Sequence, residues 1–90
     1  MANIDELNTH VTAALRKVEE AQTELVYAEM AIANVTTPNS VEGKFARRGA
    51  IRAAREAGLD QLVENLLKSF LSEKGIDPEF GTQLKLIAKQ

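Results

Sequence analysis

Residues 4–35, IDELNTHVTAALRKVEEAQTELVYAEMAIANV, carry the pattern that decides the architecture. Ile4, Val11, Val18, Leu25 and Ile32 recur every seven residues, and Leu7, Ala14, Ala21, Ala28 and Val35 follow three places after each of them. The spacing predicts one long α-helix whose apolar residues take positions a and d of a heptad. That is the pattern of a helix pairing along a left-handed seam, rather than one lying on a broad globular core. Ala at three successive d positions predicts a close-packed seam, because a methyl group admits a neighbouring backbone where Leu would hold it off.

Working outward, Val35-Thr-Thr-Pro-Asn-Ser40 reads as a loop. Pro38 disfavours helical geometry at Thr37, and Ser40 is suited to cap the helix that follows. A second helix is expected over 41–57, closed by Gly58. Gly43, Ala46, Ala50, Ala53 and Ala57 fall on one stripe of it, again at a/d spacing. The two small-sided stripes are expected to meet, making residues 4–57 a long antiparallel αα-hairpin with an Ala/Gly-rich seam. Gly43 and Gly49 would each cost that helix about 0.5–1 kcal/mol relative to Ala.

A third helix is expected over 60–74, with Leu59, Leu62, Val63, Leu66, Leu67, Phe70 and Leu71 on one broad apolar face and Gly75 ending it. Asp77-Pro78 then supplies an N-cap followed by Pro at the first helical position, opening a last helix over 77–88 with Phe80, Leu84 and Ile87 inward. The fold class is all-α: one domain over 1–90, a hairpin plus two shorter C-terminal helices that either cap it or form a dimer interface.

A 90-residue chain has room for a single core and is marginal alone, so a homo-oligomer is expected. There is no Cys, which removes disulfides, thiolate nucleophiles and Cys-type zinc sites and suits a reducing, cytoplasmic setting. Metal chemistry would be left to His10 and carboxylates. Glu6, Glu19 and Glu20 form no Glu-x-x-His pattern, so neither metal nor cofactor is expected. His10 sits at position g beside the seam, where an interhelical contact is expected rather than catalysis. No run approaches the roughly 20 apolar residues that span a bilayer. The short apolar-basic stretch Leu84–Gln90 suits helix packing better than membrane anchoring.

Charge is unevenly distributed within the total of −2. Residues 1–37 carry −4, residues 38–58 carry +3 and the remainder −1. The basic segment places Lys44, Arg47, Arg48, Arg52 and Arg55 within roughly 140° of one face of the second helix, opposite its Gly/Ala stripe. Arg donates two parallel hydrogen bonds to phosphate or carboxylate. These residues are therefore the expected partner- or phosphate-binding set, unless they pair with Glu20, Glu24 or Glu29 of the first helix or are merely solvated. The phosphate could belong to a nucleic acid or a nucleotide, and an acidic protein is the other candidate for this face. Against nucleic acid stand the acidic net charge and a helix on which Phe45 alone could stack on a base.

Gly43-Lys44 after Ser40 lacks a preceding strand and P-loop spacing. A helix-turn-helix is disfavoured as well, since the third helix is Leu-rich and the basic residues precede the turn. Tyr27, at position c away from the seam, is a candidate interface anchor together with Leu66 and Phe70.

The sequence thus points to a small non-catalytic interaction module. It is expected to act by stoichiometric binding to a protein partner, as a homo-oligomer. In size and cysteine-free, Ala-rich composition it resembles many phage, plasmid and bacterial accessory proteins. The alternative is a phosphate-rich ligand held by the Arg stripe. A contact led by arginines would weaken steeply as salt rises, whereas one led by Tyr27, Leu66 and Phe70 would respond little.

Overall fold

The computed structural model describes the chain over residues 4–90, with side-chain surroundings from residue 16 onward except at residue 19. The chain is all-helical. The elements are α1 (Ile4–Asn34), α2 (Val41–Glu56), α3 (Asp60–Leu71) and α4 (Pro78–Lys89), and no strand occurs among the described residues.

The helix ends follow local chemistry. Ser40 caps α2 by accepting from the amide of Gly43 at 3.0 Å. At the other end Leu59 N donates to Ala54 O and Gly58 N to Arg55 O, the paired bonds of a Schellman ending, with Gly58 at φ +74°. α3 stops at Leu71, short of the expected residue 74, because Ser72 turns its hydroxyl onto Lys68 O at 2.7 Å and the chain enters a turn closed by Ile76 N to Glu73 O. Gly75, at φ +81°, occupies the third place of that turn, where a left-handed residue is required. Asp77 caps α4 by accepting from Glu79 N, with Pro78 at the first helical position. Asn39 ties the two loops together, donating to Gly75 O at 2.7 Å and accepting from Asp77 N at 2.8 Å.

α2 is the hub. It packs against α1, α3 and α4, α3 also touches α4, and among the described residues α1 packs on no helix except α2. Ala46, Ala50, Ile51, Ala53 and Ala54 form the middle of one continuous core, with Val26 and Ala33 from α1, Val63, Leu66 and Phe70 from α3, and Phe80, Leu84 and Ile87 from α4. The Gly/Ala stripe of α2 is buried as its small side chains suggest, apart from half-buried Ala57.

The α1 half of the expected seam is different. Ala21 and Ala28 are exposed, as are Val18, Leu25, Ile32 and Val35, while α1 turns Val26 and Ala33 inward with Glu29 and Met30 half-buried beside them. The a/d stripe therefore does not meet the α2 stripe. The 16 residues of α2 are long enough to cover the C-terminal half of the 31-residue α1. The face laid on the core there, however, carries Val26, Met30 and Ala33, which recur at helical spacing beside the a/d stripe. Ile4, Leu7, Val11 and Ala14 lie outside the residues whose side chains are described, as does His10.

The glycines of α2 differ in what they allow. A Cβ at Gly43 would collide with the backbone carbonyl of Thr37, whereas one at Gly49 would meet the flexible end of Glu29 at 3.0 Å. Gly43→Ala is expected to destabilise by about 1–3 kcal/mol through overpacking despite its better helix propensity. Gly49→Ala is expected to change stability by less than about 1 kcal/mol. Urea unfolding of both variants, followed by circular dichroism, checks the contrast.

Candidate functional site

The basic segment is where the sequence concentrates chemistry, and the structure divides its five residues by role. Arg47, one of the expected binding residues, is only 2 % exposed. Its Nε donates to Oε1 of Glu73 at 2.6 Å and its Nη2 to Oε2 of the same carboxylate at 2.7 Å, a bidentate fork. The remaining N–H groups reach Ala33 O at 3.0 Å, Thr36 O at 3.1 Å, Thr36 Oγ1 at 3.2 Å and Gly43 O at 3.0 Å. The guanidinium also lies 5.6 Å from the centre of the Phe70 ring. Two of those acceptors, the carbonyls of Ala33 and Thr36, belong to the end of α1 and the turn after it, where backbone oxygens lack helical partners. With its donors occupied and its surface covered, Arg47 is a structural pin and offers nothing to an external ligand.

Three of its neighbours serve α4. Lys44 Nζ lies 3.8 Å from Oδ2 of Asp77 and 5.6 Å from the Phe80 ring centre. Arg48 lies 5.7 Å from the same ring and its Nη1 is 3.5 Å from Gln83 Oε1, the outer limit of a hydrogen bond. Arg55 donates to Ile87 O at 3.2 Å, a carbonyl in the last turn of α4 that also accepts from Gln90 N at 3.3 Å. These contacts run in the same order along both helices, so the basic stripe is a rail on which α4 lies parallel to α2. The expected pairing with helix 1 acids is replaced by pairing with the C-terminal third of the chain.

Arg52 differs from the other four. It is exposed and has no hydrogen bond or ion pair among the described residues. With Arg55, Glu56, Ile87 and Gln90 it lines an open cleft of about 290 Å³.

The expected anchors also separate. Leu66 and Phe70 are buried in the core and cannot serve as surface anchors, because the apolar face of α3 is already packed on α2 and α4. Tyr27 is exposed, above an open cleft it shares with Leu59 and Leu62.

An exposed apolar surface comes instead from residues expected in the seam. Along α1, Val18 is 58 % exposed and Leu25 and Ile32 are each 44 % exposed, joined by Ala21, Ala28 and Val35. Val41 and Phe45 of α2 extend the stripe: Phe45 is 68 % exposed, and both line an apolar hollow of about 300 Å³ with Ile32 and Ala46. Phe45 carried a signal in the sequence, being the one aromatic in a helix of Ala, Gly and Arg, on neither the Gly/Ala stripe nor the α4 rail. At the margin of this surface Gln22 Oε1 and Glu29 Oε2 are buried without a hydrogen-bond partner in the structure.

Among the described residues no helix is long and apolar enough to cross a membrane, and no group of three or more His, Asp or Glu could hold a metal ion. Compared with protein-family models, curated proteins and solved structures, the chain matches none of them.

Removing one partner of a buried, hydrogen-bonded ion pair costs about 3–5 kcal/mol. Arg47→Met is expected to lose that much, and Arg47→Lys most of it, because an ammonium cannot span six acceptors with three donors. Arg52→Ala is expected to leave stability within about 0.5 kcal/mol. Thermal denaturation of the three variants side by side is the measurement.

Proposed function

We propose that this protein is a small, non-catalytic interaction module of the cytoplasm that acts by stoichiometric binding. Its binding surface is the α1 stripe of Val18, Ala21, Leu25, Ala28, Ile32 and Val35, together with Phe45. One observation carries the reading: a heptad-spaced apolar stripe lies in the open while the same chain buries a separate core. Contiguous apolar patches of this kind are uncommon on monomers and mark protein contact sites. The seven-residue spacing narrows the partner to another helix, since a strict heptad stripe matches a supercoiling neighbour rather than a sheet or a loop.

In this reading α1 and α2 act as a helical hairpin, with α2 holding α1 by one face and leaving the other free. Tyr27, at a cleft away from the stripe, would serve a second and smaller contact. A phosphate-rich ligand has less support, because Lys44, Arg47, Arg48 and Arg55 all have intramolecular partners. Such a ligand would be left with Arg52 and whatever Arg55 could release.

The reading is tested by the native mass of complexes formed by the full chain in its own cells, compared with Leu25→Glu combined with Ile32→Glu. The wild type is expected in a defined stoichiometric complex. The double variant is expected as a folded monomer with unchanged helical content, because both side chains lie outside the core. Identical complexes for the two proteins would overturn the assignment of the stripe as the binding surface.

A further inference from the structure

A stripe of alternating large and small residues invites the question of which helix is its complement. Val18, Leu25 and Ile32 at the a positions are large, whereas Ala21 and Ala28 at the d positions are small, and all five are exposed. An antiparallel helix pair places a against d in every layer, so Val18 of each copy can meet Ala21 of the other and the interhelical distance there stays even. A parallel pair places a on a and d on d, which alternates crowded layers with thin ones and leaves voids at the alanines.

We propose that the occupant of the α1 stripe is a second copy of this chain, its α1 antiparallel to the first. In this register Val18 of each copy lies against Ala21 of the other. The proposal rests on the stripe being the binding surface and names what fills it.

Charge complementarity supports the same arrangement. Position g holds Lys17 and Glu24, both exposed. In an antiparallel pair, g residues face g residues across the seam. The register that sets Val18 on Ala21 also sets Lys17 of each copy beside Glu24 of the other, giving two opposite-charge pairs related by a twofold axis. A parallel pair would instead bring Glu24 toward Glu29, a like-charge contact made twice. In the antiparallel register Val41 and Phe45, beside Ile32, would lie against the flank of the opposing helix.

The chain has no cysteine, so single-cysteine variants of the full-length protein report orientation directly. Light scattering of the purified chain is expected to give twice the chain mass. Under mild oxidation a mixture of Val18→Cys and Ala21→Cys proteins is expected to form mixed disulfide dimers. Leu25→Cys alone is expected to form none, since antiparallel pairing separates the two copies of residue 25 by about 16 Å along the axis. Lys17→Glu and Glu24→Lys are each expected to weaken the dimer about fivefold, and the two together in one chain to restore it.

A dimer in which Leu25→Cys cross-links readily is parallel and overturns the inference, leaving the stripe as a binding surface. A monomer at all concentrations also overturns it; the stripe then stands or falls on whether Leu25→Glu with Ile32→Glu changes the native complexes.

Discussion

The bidentate ion pair between Arg47 and Glu73 is the interaction on which the remaining structure depends, because its guanidinium joins three stretches of chain at one buried point. Arg47 sits on α2, its carbonyl acceptors sit at the end of α1 and in the following turn, and Glu73 sits in the turn between α3 and α4. Among the described residues α1 packs on α2 and on no other helix, so its placement relative to α3 and α4 depends on that one face and on these hydrogen bonds. A buried guanidinium is tolerable only with its donors filled, and here each acceptor reports a position: if α1 rotated or α3 lengthened, a charge would be stranded. The absence of side-chain bulk at Gly43 lets the Thr37 carbonyl approach and leaves room for the guanidinium beside it. Asn39 adds a second link between the same two loops.

This arrangement explains why the most strongly charged face of the protein is not its best candidate for recognition. Lys44, Arg48 and Arg55 lie along α4, with Phe80 between Lys44 and Arg48, so the positive charge of α2 is directed into the fold. Half-buried, long ion pairs such as Lys44 with Asp77 at 3.8 Å contribute little individually. Their effect is to set the direction and register of a 12-residue helix whose own buried face is four residues, Phe80, Gly81, Leu84 and Ile87. The apolar stripe of α1, by contrast, is left exposed from Val18 to Val35.

Much of this was legible in the residues. Four helices could be placed from periodicity and punctuation, and Ser40, Gly58, Asp77 and Pro78 mark ends that the structure places within a residue or two, because capping is local chemistry. The buried sides of α3 and α4 followed from their broad apolar faces. Two readings failed for the same reason. Leu66 and Phe70 were candidate anchors and are core, while Ala21 and Ala28 were assigned to an internal seam and are exposed. Periodicity shows that a face is apolar without showing what covers it.

The sequence by itself determined the helices, their ends, the small-sided character of α2 and the heptad stripe of α1, because each depends on residues within a turn or two of one another. Only the tertiary structure decided which side of α1 lies on α2, and that four of the five basic residues are taken up internally. Those outcomes depend on contacts such as Arg47 with Glu73, 26 residues apart, and Arg55 with Ile87, 32 residues apart. Such pairings arise from competition among alternative partners across the whole chain, and no local pattern encodes which partner wins.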